Sequence, residues 1–186
     1  MDYSVFTKTI LAKVLAAMNV INNPEVAPAV RQRNQEILFQ TVGARVYAKI
    51  YDMNAFDFQI EQTVGTGIDD RFYGLAKVAS AAVATGALGL DAYVKNYIDS
   101  TISMAQKDAV NTAREYGKRT RVVRKLGRTE KTCEWCIGLA NGSPYEGSAI
   151  RAEIFGRHRD CDCEIYTEGF RTRNGLLDNY VKPSDR

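Results

Sequence analysis

Histidine is almost missing from this chain: of 186 residues only His158 is one. That scarcity works against a hydrolytic zinc site, which usually draws on histidines and a carboxylate and keeps one metal position open for water. No His-Glu-x-x-His occurs, nor a pair of histidines for a nuclease. A Ser–His–Asp triad would have to recruit His158. A Gly-x-x-x-x-Gly-Lys-Ser/Thr phosphate loop is absent, and Gly65-Thr66-Gly67 lacks the remainder of a dinucleotide fingerprint. Long apolar runs are absent as well. The longest weakly polar stretch, residues 78–90, is shorter than the roughly 20 residues a bilayer crossing requires, so no membrane span is expected. The first residues include Asp2 and do not show the basic start and apolar core of a signal peptide. Together these gaps leave no case for an enzyme.

What is present is ordinary in bulk and uneven in placement. Apolar residues make up 45% and charged residues 25%, the balance of a globular chain large enough to bury a core. The net charge is only +3, but its carriers cluster. From Arg114 to Lys131, eight basic side chains face only Glu115 and Glu130. Such a stripe suits phosphates, and Tyr116 and Trp135 stand near it as stacking partners for bases. The alternative is a solvated helix end.

Three stretches carry helical periodicity. Phe6, Ile10, Leu11, Val14, Leu15 and Met18 recur at steps of three and four, and Asn22, Asn23 and Pro24 end that run. A second helix is expected from the prolines at 24 and 28 to about Tyr51, since proline suits a first turn. Phe56, Phe58 and Ile60 alternate like a strand, so the segment from Asn54 to Gly67 reads as a connection or a broken helix. A third helical region spans residues 69–116, with a break or close contact near Gly86 and Gly89; Tyr93, Tyr97, Thr101, Met104, Ala105 and Asp108 share a face suited to core packing. After residue 118 glycines become frequent. Residues 121–124 and 164–166 suit short strands. The expectation is a mainly α protein: a helical body over 1–118, a small zinc-stabilised α+β module over 119–170, and a polar arm over 171–186.

All four cysteines lie between Cys133 and Cys163, with the lone histidine among them. The order is Cys133-x2-Cys136, a gap, then His158-x2-Cys161-x-Cys163. Zinc takes four tetrahedral ligands from thiolate and imidazole. A two-residue spacer lets two side chains of a tight turn reach one ion, and Cys161 and Cys163 leave the same face of an extended segment. Five candidates, Cys133, Cys136, His158, Cys161 and Cys163, therefore compete for four places on one structural zinc. Disulfides and plain buried thiols are the competing readings; a reducing compartment disfavours the former. The order also differs from zinc deaminases, where His-x-Glu precedes Pro-Cys-x-x-Cys; here the histidine follows, and Thr132 stands at the proline position.

A helix bearing Ala and Tyr, a basic stretch, Cys133-Glu134-Trp135-Cys136 followed by Gly138-Leu139-Ala140-Asn141-Gly142, and His158-Arg159-Asp160-Cys161-Asp162-Cys163 together resemble the C-terminal region of tailed-phage minor head proteins, the head-morphogenesis family of the phage Mu type. The likeness covers roughly residues 120–165. Arg159 and Asp160 depart from the family's usual His-x-Asn-Cys-x-Cys. The resemblance implies a non-enzymatic virion structural protein, a minor head or head–tail protein present in few copies. It would be made in the host cytoplasm and placed in the phage head or at the head–tail junction. Its partners would be portal or capsid proteins, with packaged DNA nearby. The alternative from the residues themselves is a zinc-stabilised module that contacts DNA through Arg114 to Lys131.

Overall fold

The computed structural model describes residues 4–60, 70–84, 90–127, 133–158 and 163–169. The chain is mainly helical with a small antiparallel sheet in its C-terminal region, as expected. Its elements run α1 (Ser4–Ile21), α2 (Pro28–Phe58), α3 (Asp70–Ala84), α4 (Leu90–Glu115), β1 (Thr120–Lys125), α5 (Glu134–Asn141), β2 (Tyr145–Glu146) and β3 (Glu164–Gly169). Two 3-10 turns, Gly147–Ala149 and Ala152–Phe155, lie between β2 and β3. Among the described residues no helix is long and apolar enough to cross a membrane. The expected arm over 171–186, Cys161, and the glycines at 65, 67, 86 and 89 lie outside the described residues.

Contacts divide the chain into two compact units. The first comprises Asp2–Ala48 and Gly65–Ile102, and is helical. Helix α1 ends where expected: Asn23 closes an Asx turn on the Glu25 N–H, and Pro28 then opens α2 at a position whose N–H has no helical partner anyway. Phe39, Val46, Tyr47, Phe72, Val94, Tyr97 and Ile98 fill the interior. Gly43 lets the neighbouring side chains come close to α2, since a Cβ there would sit 2.8 Å from the Phe72 ring and against the Tyr97 phenol. That phenol donates to the Phe39 carbonyl at 2.6 Å, and burial pushes its pKa far above the usual value, so it stays a donor.

The second unit comprises Met1, Lys49–Val64 and Ser103–Arg186. One correction falls here. The end of α2 is helical through Phe58, not a connection. Ala55 and Phe58 are buried while Phe56 is 80% exposed, a helical rather than an alternating pattern. A Schellman closure stops the helix: Gln59 takes φ +53°, its N–H reaches the Phe56 carbonyl, and Ile60 N–H reaches Ala55. Helix α4 ends identically, with Gly117 at φ +67° and Lys118 N–H on the Ala113 carbonyl. The third helical region holds two helices, α3 in the first unit and α4, on either side of residues 85–89, where the break was expected and which lie outside the described residues.

The strands order as β2-β1-β3, all antiparallel. Val122 pairs with Tyr145 on one side and Thr167 on the other; Arg124 pairs with Ile165. Alternation turns Thr120, Val122 and Arg124 inward. Arg121 faces outward and lies against Glu146 and Glu168 at 3.9 and 3.7 Å. Polar bonds fasten the helices of this unit to its sheet. Gln106 donates to the Ile165 carbonyl at 2.9 Å, and Thr167 hydrogen-bonds Asn54. Tyr51 on α2 donates to Thr112 on α4 at 3.0 Å.

Candidate metal centre

Residues 133–141 do not form the tight turn expected around Cys-x-x-Cys. They start a helix, with Cys133 as the N-cap of α5 and Cys136 in its first turn. The Cys133 sulfur takes the role a Ser or Asp oxygen usually fills, accepting the Cys136 N–H at 3.4 Å. That hydrogen bond holds the Cys133 thiol below its ordinary pKa. One helical turn thus sets both sulfurs on the same side of the α5 N-terminus. The helix was illegible in the sequence because a cysteine cap is not a usual start signal and the run is only 8 residues long.

His158 arrives from the loop after Phe155. Its Nε2 lies 3.1 Å from the Cys133 sulfur and 3.0 Å from the Cys136 sulfur. The ligand-type atoms of Cys133, Cys136 and His158 all fall within 4.8 Å of one another, close enough to hold a metal ion. The fit can be tested against coordination chemistry. Zinc–sulfur and zinc–nitrogen bonds of about 2.3 and 2.0 Å in a tetrahedron put S and N roughly 3.5 Å apart. The donors would have to part by only about half an ångström to admit an ion. The near-equal reach of one nitrogen to two sulfurs fits coordination better than a nucleophilic Cys–His pair, which needs one thiol on the imidazole.

Of the five expected ligands, the structure brings Cys133, Cys136 and His158 together. Cys163 is buried and packs in one apolar cluster with Cys136 and Cys133. Cys161 lies outside the described residues. The described cysteines are free thiols.

Among the described residues Arg124, part of the basic stripe in the sequence, is the largest fully buried side chain, at 1% exposure. Its guanidinium donates to the carbonyls of Ile154 and Gly156 at 2.7 and 2.8 Å and lies 3.5 Å from the Cys136 sulfur. It also sits 5.0 Å from the centroid of the Trp135 ring. Trp135 in turn stands edge-on to His158. Gly156 is required beneath it, because a Cβ there would come 2.8 Å from the indole. A guanidinium is always charged, and its place beside Cys136 favours a thiolate there. Arg157 completes the support: it donates to the Ser103 hydroxyl at 2.6 Å and to the Cys163 carbonyl at 2.8 Å. The alternation of the strand was the only signal that could have found Arg124, since it shares a face with Val122.

No family model, curated protein or solved structure matches this chain. The reading of the site therefore rests on its own chemistry. Two sulfurs and an imidazole suit a borderline-soft transition metal and suit calcium or magnesium poorly.

Proposed function

We propose that this chain is a non-enzymatic structural protein of a tailed-phage virion, in the minor head class, with its C-terminal module closed by one zinc ion. Cys133, Cys136 and His158 would supply three ligands, and Cys161 or Cys163 the fourth. The observation that carries the reading is the convergence of those three side chains, because they belong to the motif on which the resemblance to minor head proteins rests. Zinc in such a site supplies folding free energy rather than reactivity. A filled thiolate shell leaves no position for a catalytic water. Arg124 would balance part of the negative charge of a thiolate-rich centre. Portal or capsid proteins are the proposed partners, in the head or at the head–tail junction.

Two measurements test this. Elemental analysis of the purified chain should return one zinc per molecule, with thiols that react only after chelation. Antibody against the chain should label purified virions. Its absence from virions would end the structural reading while leaving the metal site intact.

The DNA-binding alternative loses part of its motivation in the described structure. Within the basic stretch Arg124 is internal, Arg119 and Arg121 lie against Glu146, and Lys125 covers the Tyr166 ring. A charge reversal at Arg124 would therefore report on folding, not on DNA.

A further inference from the structure

The end of α4, the start of β1 and the turn after β2 enclose a cleft of about 560 Å³ in the second unit. Arg114, Lys118 and Arg119 line it, against one carboxylate, Glu115. Arg119 also bonds Glu146 at 3.3 Å, which offsets part of its charge. The Arg114 guanidinium donates to the Ile150 carbonyl at 3.3 Å. Among the described residues no carboxylate pairs with Arg114 or Lys118. Thr120 and Ser148 also line it. Thr120 is 2% exposed, and its hydroxyl has no hydrogen-bond partner among the described residues.

The competing explanation is that these cations merely complement the negative end of α4. The Schellman closure weakens it. The carbonyls of Ala113 and Arg114 are already taken by the Lys118 and Gly117 N–H groups, so the Arg114 and Lys118 side chains are not needed to satisfy them. We propose that this cleft binds a terminal phosphate, a phosphomonoester dianion, through Arg114 and Lys118, with Arg119 in support. The net positive lining matches a doubly charged oxyanion better than a carboxylate. The volume lies in the range of ligand pockets and leaves room beside a bare ion for a group that carries the phosphate. That group is either a free nucleotide or the end of a nucleic-acid strand. The site is separate from the metal centre and does not depend on the virion reading.

The test uses the full chain in low salt, with calorimetry or anisotropy as the readout. The probes are inorganic phosphate, a nucleoside 5′-monophosphate, and one single-stranded oligodeoxynucleotide prepared with a 5′-phosphate and with a 5′-hydroxyl. Saturable binding is expected for the phosphate-bearing probes. Lys118→Gln and Arg114→Gln should each weaken it about tenfold, the loss of one charge-assisted contact. Lys13→Gln removes an exposed charge in the other unit and should change nothing. Thermal unfolding of each variant confirms that the fold is kept. A preference for the 5′-phosphorylated strand over its hydroxyl twin assigns the cleft to strand ends. Binding of the mononucleotide with no such preference assigns it to free nucleotides. The proposal is overturned if no phosphate probe saturates, or if Lys13→Gln weakens binding as much as Lys118→Gln does.

Discussion

Phe39, Phe72 and Tyr97 fill the interior of the first unit, with Gly43 cut away to let them meet. The second also buries apolar side chains, Ile50, Phe58, Val110, Val122 and Ile154 among them, but it adds more buried polar groups than the Gln35, Ser80 and Thr101 of the first. Asn54, Ser103, Gln106, Thr120, Arg124 and Thr167 are all buried in the second, and most of them bond backbone or one another. Apolar packing is non-directional and tolerates exchange of similar volumes. A polar interior is directional and fails when one partner is lost. The first unit should therefore answer mainly to volume and the second to volume and chemistry together.

Four substitutions would break or sharpen that contrast. The largest effect is expected from Cys136→Ser. If one metal ion closes the second unit, losing a ligand forfeits folding free energy on the order of several kcal/mol, since metal binding is coupled to folding. Limited proteolysis should then cut between residues 120 and 165, while most of the far-UV helical signal survives. Unchanged metal content and protease resistance would rule the site out. Next comes Arg124→Met, which removes a buried charge bound to two carbonyls and a sulfur. A loss of about 3–5 kcal/mol is expected, read as a drop in the denaturant midpoint. Weakened metal retention alongside it would place Arg124 in support of the centre, whereas a fall in stability with unchanged retention would confine it to packing.

Gly43→Ala is the matching probe of the first unit. A methyl there meets the Phe72 ring and the Tyr97 phenol, so a loss of about 1–3 kcal/mol is expected, with metal content untouched. A gain in stability would mean the neighbours can give way. The smallest effect is a gain. Gln59 holds a left-handed conformation that costs a side-chain residue about 1 kcal/mol, and Gln59→Gly should recover roughly that much in thermal unfolding.

How much of this could be read from the sequence also differs between the units. The apolar stripe of α1, its stop at Asn22, and a start of α2 between Pro24 and Pro28 were plain, because periodicity and turn residues are local signals. β1 and β3 were found within a residue or three of their true ends. The end of α2 was misread because Phe56, Phe58 and Ile60 happen to alternate, and only tertiary packing decides that Phe56 faces out. In the site, Cys133, Cys136 and His158 declared themselves by spacing. Their support did not. A charged residue on a short strand looks solvent-facing until the carbonyls of Ile154 and Gly156, 30 and 32 positions away, are seen to need its donors. β2 and the two 3-10 turns carried no period long enough to detect.

The register of the sheet has a consequence for the order in which the second unit forms during synthesis. Val122 on β1 pairs with Tyr145 and with Thr167, and the second partner lies roughly twice as far along the chain, so its loop costs more entropy to close. As the chain leaves the ribosome, β1, α5 and β2 are available to one another before β3 exists. Cys133 and Cys136 are thus presented on α5 before His158 and Cys163 are made, and the three described strands meet only when β3 emerges.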